Sequence, residues 1–273
     1  MRQFILEKQK IKNGLILLEG KDFRYLRQVL RVKTGDMVNV RLPEGTLQNS
    51  TVACIDDKAK IITLQLCAGT SEDYGNSVTR GVQSTEIEGK LPYTEYWLFQ
   101  FLPRPQKFEQ IVRQATECGV AVIVPVIGEY SEKSSAMALE GNKKERLERI
   151  VKEARQQSGS PVETKITPPL TLEKALELWE QSDGKEAGSL GFVLSERDDC
   201  KDNLHNIINQ TLEKKGEIKK VAVCVGSEGG ISPGEVAVLQ EKGLFHPIHF
   251  AVNILRCETA ALYGIAAVQS AIN

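Results

Sequence analysis

Two short stretches in the last third of the chain carry residue types suited to holding and acting on a ligand. Gly226-Ser227-Glu228-Gly229-Gly230 follows the apolar run Val221-Ala222-Val223-Cys224-Val225, and further on comes Ile254-Leu255-Arg256-Cys257-Glu258-Thr259-Ala260. Glycines on both sides of one carboxylate allow positive φ and let main-chain N–H and C=O groups face a ligand with no Cβ in the way. Ser232, Pro233 and Glu235 then supply an N-cap, a proline at the first helical position and a capping-box glutamate, so a helix starts there. An apolar strand, a bare loop and a capped helix suit a cofactor at the carboxyl end of a parallel sheet; the alternative is a tight strand-to-helix turn with no ligand. The second stretch follows another apolar run, Ile248-His249-Phe250-Ala251, and precedes a long helix over 260–272. Two such loops can line one crevice. On its wall Arg256 could fork onto a phosphate, or instead form a salt bridge to Glu258 or Glu228.

The elements that must position these loops follow from periodicity. From Tyr93 onward strands and helices alternate. Tyr96–Leu102, Val120–Ile127, Leu190–Leu194 and Val221–Val225 are strand candidates. Phe108, Ile111, Val112, Ala115 and Cys118 share one helical face closed by Gly119; Leu147, Ile150, Val151 and Ala154 mark a second helix, Leu172, Ala175, Leu176 and Trp179 a third, and Leu204–Leu212 a fourth. Strands apolar throughout imply an α/β fold with a parallel sheet covered on both faces, and there are too few βα units for a TIM barrel. The helix over 260–272 is apolar almost all round and is expected to be buried.

Residues 1–69 read as a separate small β-rich domain, 70–92 as a polar linker and 93–273 as the α/β domain. The first domain has strand candidates at Gly14–Leu18, Met37–Arg41, Ser50–Ile55 and Lys60–Leu66. Between them a short helix, Asp22–Arg31, can turn Phe23, Leu26, Val29 and Leu30 inward and Arg24, Arg27 and Arg31 outward.

The 273 residues carry a formal net charge of −1, which makes no whole-chain case for nucleic acid. The distribution does. Within residues 1–41, ten lysines and arginines, among them Arg2, Arg24, Arg27, Arg31 and Arg41, face four acids, an excess suited to a phosphate-binding surface or to a solvated basic face without a partner. The six cysteines are scattered without a C-x-x-C, which points to buried thiols rather than a disulfide frame or zinc site. Cys257 has no histidine nearby in sequence to activate it, and His246 and His249 lack flanking ligands, so no metal is expected. Neither a signal peptide nor a run long enough to span a bilayer is evident, and a cytoplasmic protein is expected.

The pair Gly226-x-Glu228-Gly229-Gly230-x-Ser232 and Ile254-Leu255-Arg256-x-Glu258-Thr259-Ala260 resembles the signature of the small-subunit ribosomal RNA methyltransferase E family, in the SPOUT class. Ala115-Thr116-Glu117-x-Gly119-Val120, Glu153-Ala154-x-x-Gln157-Ser158, and Leu30-Arg31 before Gly35-Asp36 extend the likeness over nearly the whole chain. The resemblance implies a SPOUT-type parallel sheet with a C-terminal deep trefoil knot behind a PUA-like N-terminal β-barrel. It implies methylation of N3 of a uridine in 16S rRNA with S-adenosylmethionine, and a homodimer to which the last helix contributes. The partner would be 16S rRNA or the assembled small subunit, met through Arg2, Arg24, Arg27 and Arg31.

A neutral nucleoside with a methionine tail needs no basic phosphate cradle. The loops expected to hold it bring Leu194 and Ser195 (with Glu196 beside them), Gly226, Glu228, Gly229, Gly230 and Ile231, and Ile254, Leu255, Arg256, Thr259 and Ala260. Uracil N3 carries a proton at neutral pH, so Glu228 and Glu258 are candidate acceptors and Arg256 can offset charge on the uracil oxygens. Each has a plainer role available: Glu228 accepting backbone N–H bonds, Glu258 as the acid of a helix's first turn, and Thr259 bonding locally. Three departures from the family pattern stand out. Ser227 replaces a proline; Phe250-Ala251 replaces a leucine-glycine pair, where Ala251 is expected to crowd the adenosine pocket; and Ser160-Pro161 replaces an arginine. They leave open a catalytically weak relative that binds ribosomal RNA during assembly, or a SPOUT enzyme acting on tRNA or a ribose hydroxyl.

Overall fold

In a computed structural model of the chain the described residues are 3–7, 11–67, 94–131, 135–136, 142–186, 188–196 and 203–272. Arg2, Cys200 and the expected linker at 70–92 lie outside them. The chain divides into two compact units, Met1–Lys90 with Gln156–Pro161, and Leu91–Arg155 with Val162–Asn273.

The first unit is built on a six-stranded sheet of order β1-β4-β5-β6-β3-β2. Its strands are β1 (Gln3–Ile5), β2 (Ile11–Lys12), β3 (Leu15–Glu19), β4 (Met37–Arg41), β5 (Leu47–Asp56) and β6 (Ile61–Leu66). β1 runs parallel to β4 and the other neighbours are antiparallel. Alternation sorts each strand's side chains between faces: Ile16 and Leu18 are buried while Leu17 between them is exposed. Phe4, Val40, Val52, Ile62 and Leu64 complete the core with Phe23 and Leu26 from α1 (Gly20–Arg24) and the turn after it.

That turn departs from the expected single helix. Tyr25–Leu30 is π-helical and ends on Arg31 in the left-handed region, φ 56°. The amide N–H of Arg31 donates back to the Leu26 carbonyl, and that of Val32 to the same oxygen. The wider turn shifts the inward face by a residue, so Leu30 packs on the core while Val29, expected inside, is 60% exposed. Cys54 also corrects its expectation: it is exposed, because a bulge between Val52 and Cys54 breaks the alternation of β5.

The second unit holds a seven-stranded sheet, parallel throughout, with helices interleaved. In chain order come β7 (Glu95–Phe101), α2 (Pro105–Glu117), β8 (Val122–Ile127), α3 (Asn142–Ser158, counted with this unit as far as Arg155), β9 (Lys165–Ile166), β10 (Leu170–Thr171), α4 (Leu172–Gln181), β11 (Ser189–Leu194), α5 (Leu204–Lys215), β12 (Lys220–Val225), α6 (Pro233–Glu241), β13 (Phe245–Ile248) and α7 (Cys257–Ile272). The short strands β9 and β10 carry too few apolar residues to show in a periodicity reading. The strand order is β10-β8-β7-β12-β11-β13, with β9 beside β8.

Central strands are buried on both sides, which is why they read as continuous apolar runs. One face packs against α2, α3, α5 and α7 through residues such as Leu98, Ile111, Ile150, Ile208 and Ile265. The other packs Trp97, Phe99, Trp179 and Phe245 in edge-to-face contacts, with ring centroids of Phe99 and Phe245 5.5 Å apart. α7 is not buried all round within this chain. Ala261, Gly264, Ile265 and Val268 face the core, whereas Tyr263 and Ala266 are exposed.

Candidate functional site

β7 lies between β8 and β12, and the chain leaves it on one side before returning on the other through β11 and β12. Parallel sheets bind ligands where the order reverses in this way, beyond the carboxyl ends of the strands. A cavity of about 810 Å³ opens there, walled by the loops after β8, β11, β12 and β13 and by the start of α2.

Glycine is required at three positions in the loop after β12. A Cβ on Gly226 would lie 2.8 Å from the Gly230 backbone, and one on Gly229 2.8 Å from Tyr130 Cβ. Gly230 sits at φ +79° and closes a bridge to Ser227. The turn is then braced from outside. Gln100, fully buried on β7, donates Nε2 to the carbonyls of Phe101 (2.9 Å), Gly226 (3.0 Å) and Val225 (3.4 Å). Ser227 Oγ donates to the Tyr130 carbonyl at 3.1 Å and accepts from Gly229 N–H at 3.4 Å, so the hydroxyl restores by hydrogen bonding some of the stiffness a proline would bring. Ser232 and Glu235 form the expected capping box at α6, and Glu235 also accepts from the Glu129 N–H at 2.7 Å, tying the loop after β8 to the same wall.

The two candidate carboxylates meet at a residue that sequence reasoning passed over. Lys107 Nζ lies 3.2 Å from Glu258 Oε2 and 3.7 Å from Glu228 Oε1. Glu228 Oε1 also accepts from the Arg104 N–H at 3.3 Å, so the backbone N–H it holds comes from across the crevice. Burial alone would raise Glu258, but its own backbone N–H, the Cys257 thiol at 3.2 Å and Lys107 together hold it below the usual carboxylate range. The hydrogen bond to Glu258 leads the causes that raise Lys107. Cys257 is pushed up to about 12 by burial, then by the hydrogen bond to Glu258 and the charge of Glu228, so its thiol stays protonated and is no nucleophile at neutral pH. The signal for Lys107 was present: Pro105 opens α2 directly after β7, which sets Lys107 in a first turn at the carboxyl edge of the sheet.

Of the residues expected to hold a cofactor, Leu194, Ser195, Gly226, Glu228, Gly229, Gly230, Ile231, Ile254, Leu255, Arg256 and Ala260 all line the cavity. Thr259 does not. Its side chain is exposed, and its N–H donates to the Arg256 carbonyl at 2.8 Å in starting α7. Glu258 is likewise absent from the lining, its carboxylate engaged by Lys107 and Cys257. Arg256 lines the cavity, is exposed, and joins no ion pair among the described residues, so the alternative of a salt bridge to Glu258 or Glu228 is not what forms; Lys107 pairs with both glutamates instead. Ala251 is exposed and not in the lining, so it does not crowd the pocket, whereas Phe250 lines it and meets Tyr263 edge-on at 5.1 Å. Tyr130, 47% exposed beside Gly229, is a further lining aromatic that the sequence reading missed.

His249 Nδ1–H donates to the Ser195 carbonyl at 3.1 Å, joining the ends of β11 and β13. Among the described residues no three His, Cys, Asp or Glu side chains converge on a metal site, and no helix is long and apolar enough to cross a membrane.

In the first unit Arg24 and Arg31 are exposed. Arg27 is committed instead: Nε and Nη2 fork onto Asp57 at 3.1 and 3.0 Å, and Nη1 reaches the Val32 carbonyl. Arg41 is buried against Gln3 Oε1 and the Gly45 carbonyl, which removes it from the basic surface. Ser160 is buried in this unit, its carbonyl accepting from Gln3 Nε2 at 3.1 Å.

With the site's geometry in hand, known proteins give it a family. The family model described as RNA methyltransferase domain matches residues 90–269. The ribosomal RNA small subunit methyltransferase E of Aquifex aeolicus is 34% identical over 178 residues, 65% of this chain and 69% of the relative. That of Synechocystis is 26% identical over 269 residues, covering 98% and 77%. A crystal structure of a ribosomal RNA small subunit methyltransferase E from Neisseria gonorrhoeae, bound to S-adenosyl methionine, superposes with a TM-score of 0.74 at 21% identity, covering 99% of this chain and 97% of the other. The chain belongs to the RNA methyltransferase domain family, among the ribosomal RNA small subunit methyltransferase E proteins.

Proposed function

We propose that the chain methylates N3 of a uridine in 16S ribosomal RNA of the small subunit, with S-adenosylmethionine as donor. The observation that carries this reading is the cavity at the carboxyl edge of the parallel sheet, walled on one side by the glycine loop and on the other by Ile254–Ala260. Its volume suits a nucleoside-sized ligand. Backbone groups of Gly226–Ile231 and the apolar Leu194, Ile231, Leu255 and Ala260 fit a neutral adenosine, and the cationic side chains among the described lining residues, Lys107 and Arg256, make no phosphate cradle. The activity for which the relatives are named and the donor bound in the Neisseria gonorrhoeae structure add support.

When bound, the donor supplies an already activated methyl group, so the chain's contribution is placement and proton handling. The glycine loop holds the nucleoside by its main chain. Glu228, on the cavity wall, takes the N3 proton, and Arg256 offsets the charge that then spreads onto the uracil oxygens. Glu258 acts through Lys107 rather than on the substrate.

Around this centre we place the second unit in the SPOUT class with a deep trefoil knot near its C-terminus, and the first unit with PUA-like barrels that grip RNA through Arg24 and Arg31. The exposed side of α7, with Tyr263 and Ala266, is the contribution we assign to a homodimer interface. An enzyme of this kind works in the cytoplasm, where ribosomes assemble. Incubation with S-adenosylmethionine and small subunits lacking the mark, followed by nucleoside mass spectrometry, is expected to yield 3-methyluridine. A ribose methyl or another methylated base would refute the N3 assignment. Donor binding without any transfer would favour the RNA-binding assembly factor.

A further inference from the structure

We propose that Lys107 is a positioning residue, its ammonium clasping Glu228 of the glycine loop and Glu258 of α7 so that the two walls of the donor cavity keep their spacing. The inference rests on the reading of that cavity as the S-adenosylmethionine site. Three separate elements meet at one nitrogen: the first turn of α2, the loop after β12 and the first turn of α7, at 3.7 Å to Glu228 and 3.2 Å to Glu258. The side chains of Lys107, Glu228 and Glu258 are only 24%, 34% and 16% exposed, so water screens this cluster less than an ordinary surface pair.

The placement is unfavourable for the helix that carries it. Lys107 sits in the first turn of α2, opened by Pro105, where the helix dipole favours an acid and disfavours a cation. A lysine there is accounted for by the carboxylates that other elements bring to it. At the far end of α2, Gln269 of α7 donates to the Cys118 carbonyl at 2.7 Å, so the two helices are fixed to each other at both ends and the glycine loop is the third body held.

Among the described ion pairs the cluster sets one cation, Lys107, against two carboxylates. The groups facing it are Lys107 and the Arg104 N–H from the β7–α2 side, Glu228 from the glycine loop, and Cys257 and Glu258 from α7, with Arg256 on the same cavity wall. Without the ammonium, two like charges face each other across the gap between the walls. They separate, or one takes up a proton.

The test is calorimetric titration of the full chain with S-adenosylmethionine at about pH 8 and about pH 5.5, near enough to the carboxylate range for a raised group to titrate. Lys107→Met is expected to weaken donor binding about tenfold at the higher pH and to recover in part at the lower, whereas Lys107→Arg stays within about threefold, on the scale of one charge-assisted contact. Lys107→Met combined with Glu258→Gln, which removes the repulsion, is expected to bind better than Lys107→Met alone. Unchanged or tighter binding in Lys107→Met, as simple removal of a positive charge from a cation's site would give, overturns the proposal. So does an equal loss at both pH values that the double variant does not relieve. If the wild type gives no heat, the donor reading fails and the clasp is judged by thermal unfolding: the double variant must melt above Lys107→Met, and equal midpoints overturn it.

Discussion

The two walls of the cavity are built in opposite ways. The glycine loop is braced at nearly every residue, by Gln100 below, Tyr130 beside it and the capping box above. The arginine loop has little to hold it: over 251–256 the described bonds are a single tight turn from Val252 to Phe250 and the carbonyl of Arg256 capping α7, and Ile254 is 80% exposed. A wall whose backbone is fixed before binding suits a ligand recognised by main-chain groups, because little ordering remains to oppose it. A wall of exposed side chains on a loosely tied segment suits a partner that arrives from solvent and completes the site. We therefore assign the donor's main-chain contacts to the first wall, with Leu255 and Ala260 closing on its adenosine, and the RNA to the exposed Arg256 of the second.

If that division is right, the walls fail differently when broken. Gly226→Val drives a branched side chain into the Gly230 backbone, and donor affinity is expected to fall by about 100-fold or more in calorimetry, the scale of a serious overpacking strain. Arg256→Ala should leave donor affinity within about threefold while lowering kcat/KM for the RNA about 30-fold, the worth of one charged hydrogen bond. A parallel loss of donor affinity would merge the two walls. Gln100→Leu leaves buried carbonyls without their donor, and is expected to lower both the thermal midpoint and donor affinity, the latter about tenfold.

The smallest effect belongs to Cys257. With its thiol raised to about 12, Cys257→Ala should keep activity within about twofold, since no thiolate exists to lose near neutral pH. A pKa raised by folding contributes stability that is complete below the unfolded value of about 8.5 and is lost as pH rises toward the folded one. Thermal unfolding of the wild type should therefore show an alkaline decline that Cys257→Ala reduces.

The glycine wall was legible in the sequence because its chemistry is local: Gly226, Gly229, Gly230 and the Ser232–Glu235 box are neighbours, and each constrains the backbone by its own type. The parallel sheet was legible for a related reason, since runs such as Val221–Val225 are apolar only where both faces are covered. The place of Lys107 in a first turn at the sheet's carboxyl edge was legible from Pro105, but its pairing was not, because that depends on Glu228 and Glu258, both more than a hundred residues away in the chain. Arg27 and Arg41 misled for the same reason. Both are basic residues in a basic stretch, but Asp57 and the Gln3 amide claim them once the sheet forms. The π-helical turn at Tyr25–Leu30 escaped because nothing in residue type separates it from an ordinary helix.

A crystal structure of the chain grown with S-adenosylmethionine puts the division of the two walls to its most direct test. The nucleoside is expected within hydrogen-bond distance of main-chain groups between Gly226 and Ile231, with the Arg256 guanidinium left facing solvent. A ligand seated elsewhere, or one held by Arg256 while the glycine loop makes no contact, would contradict that division.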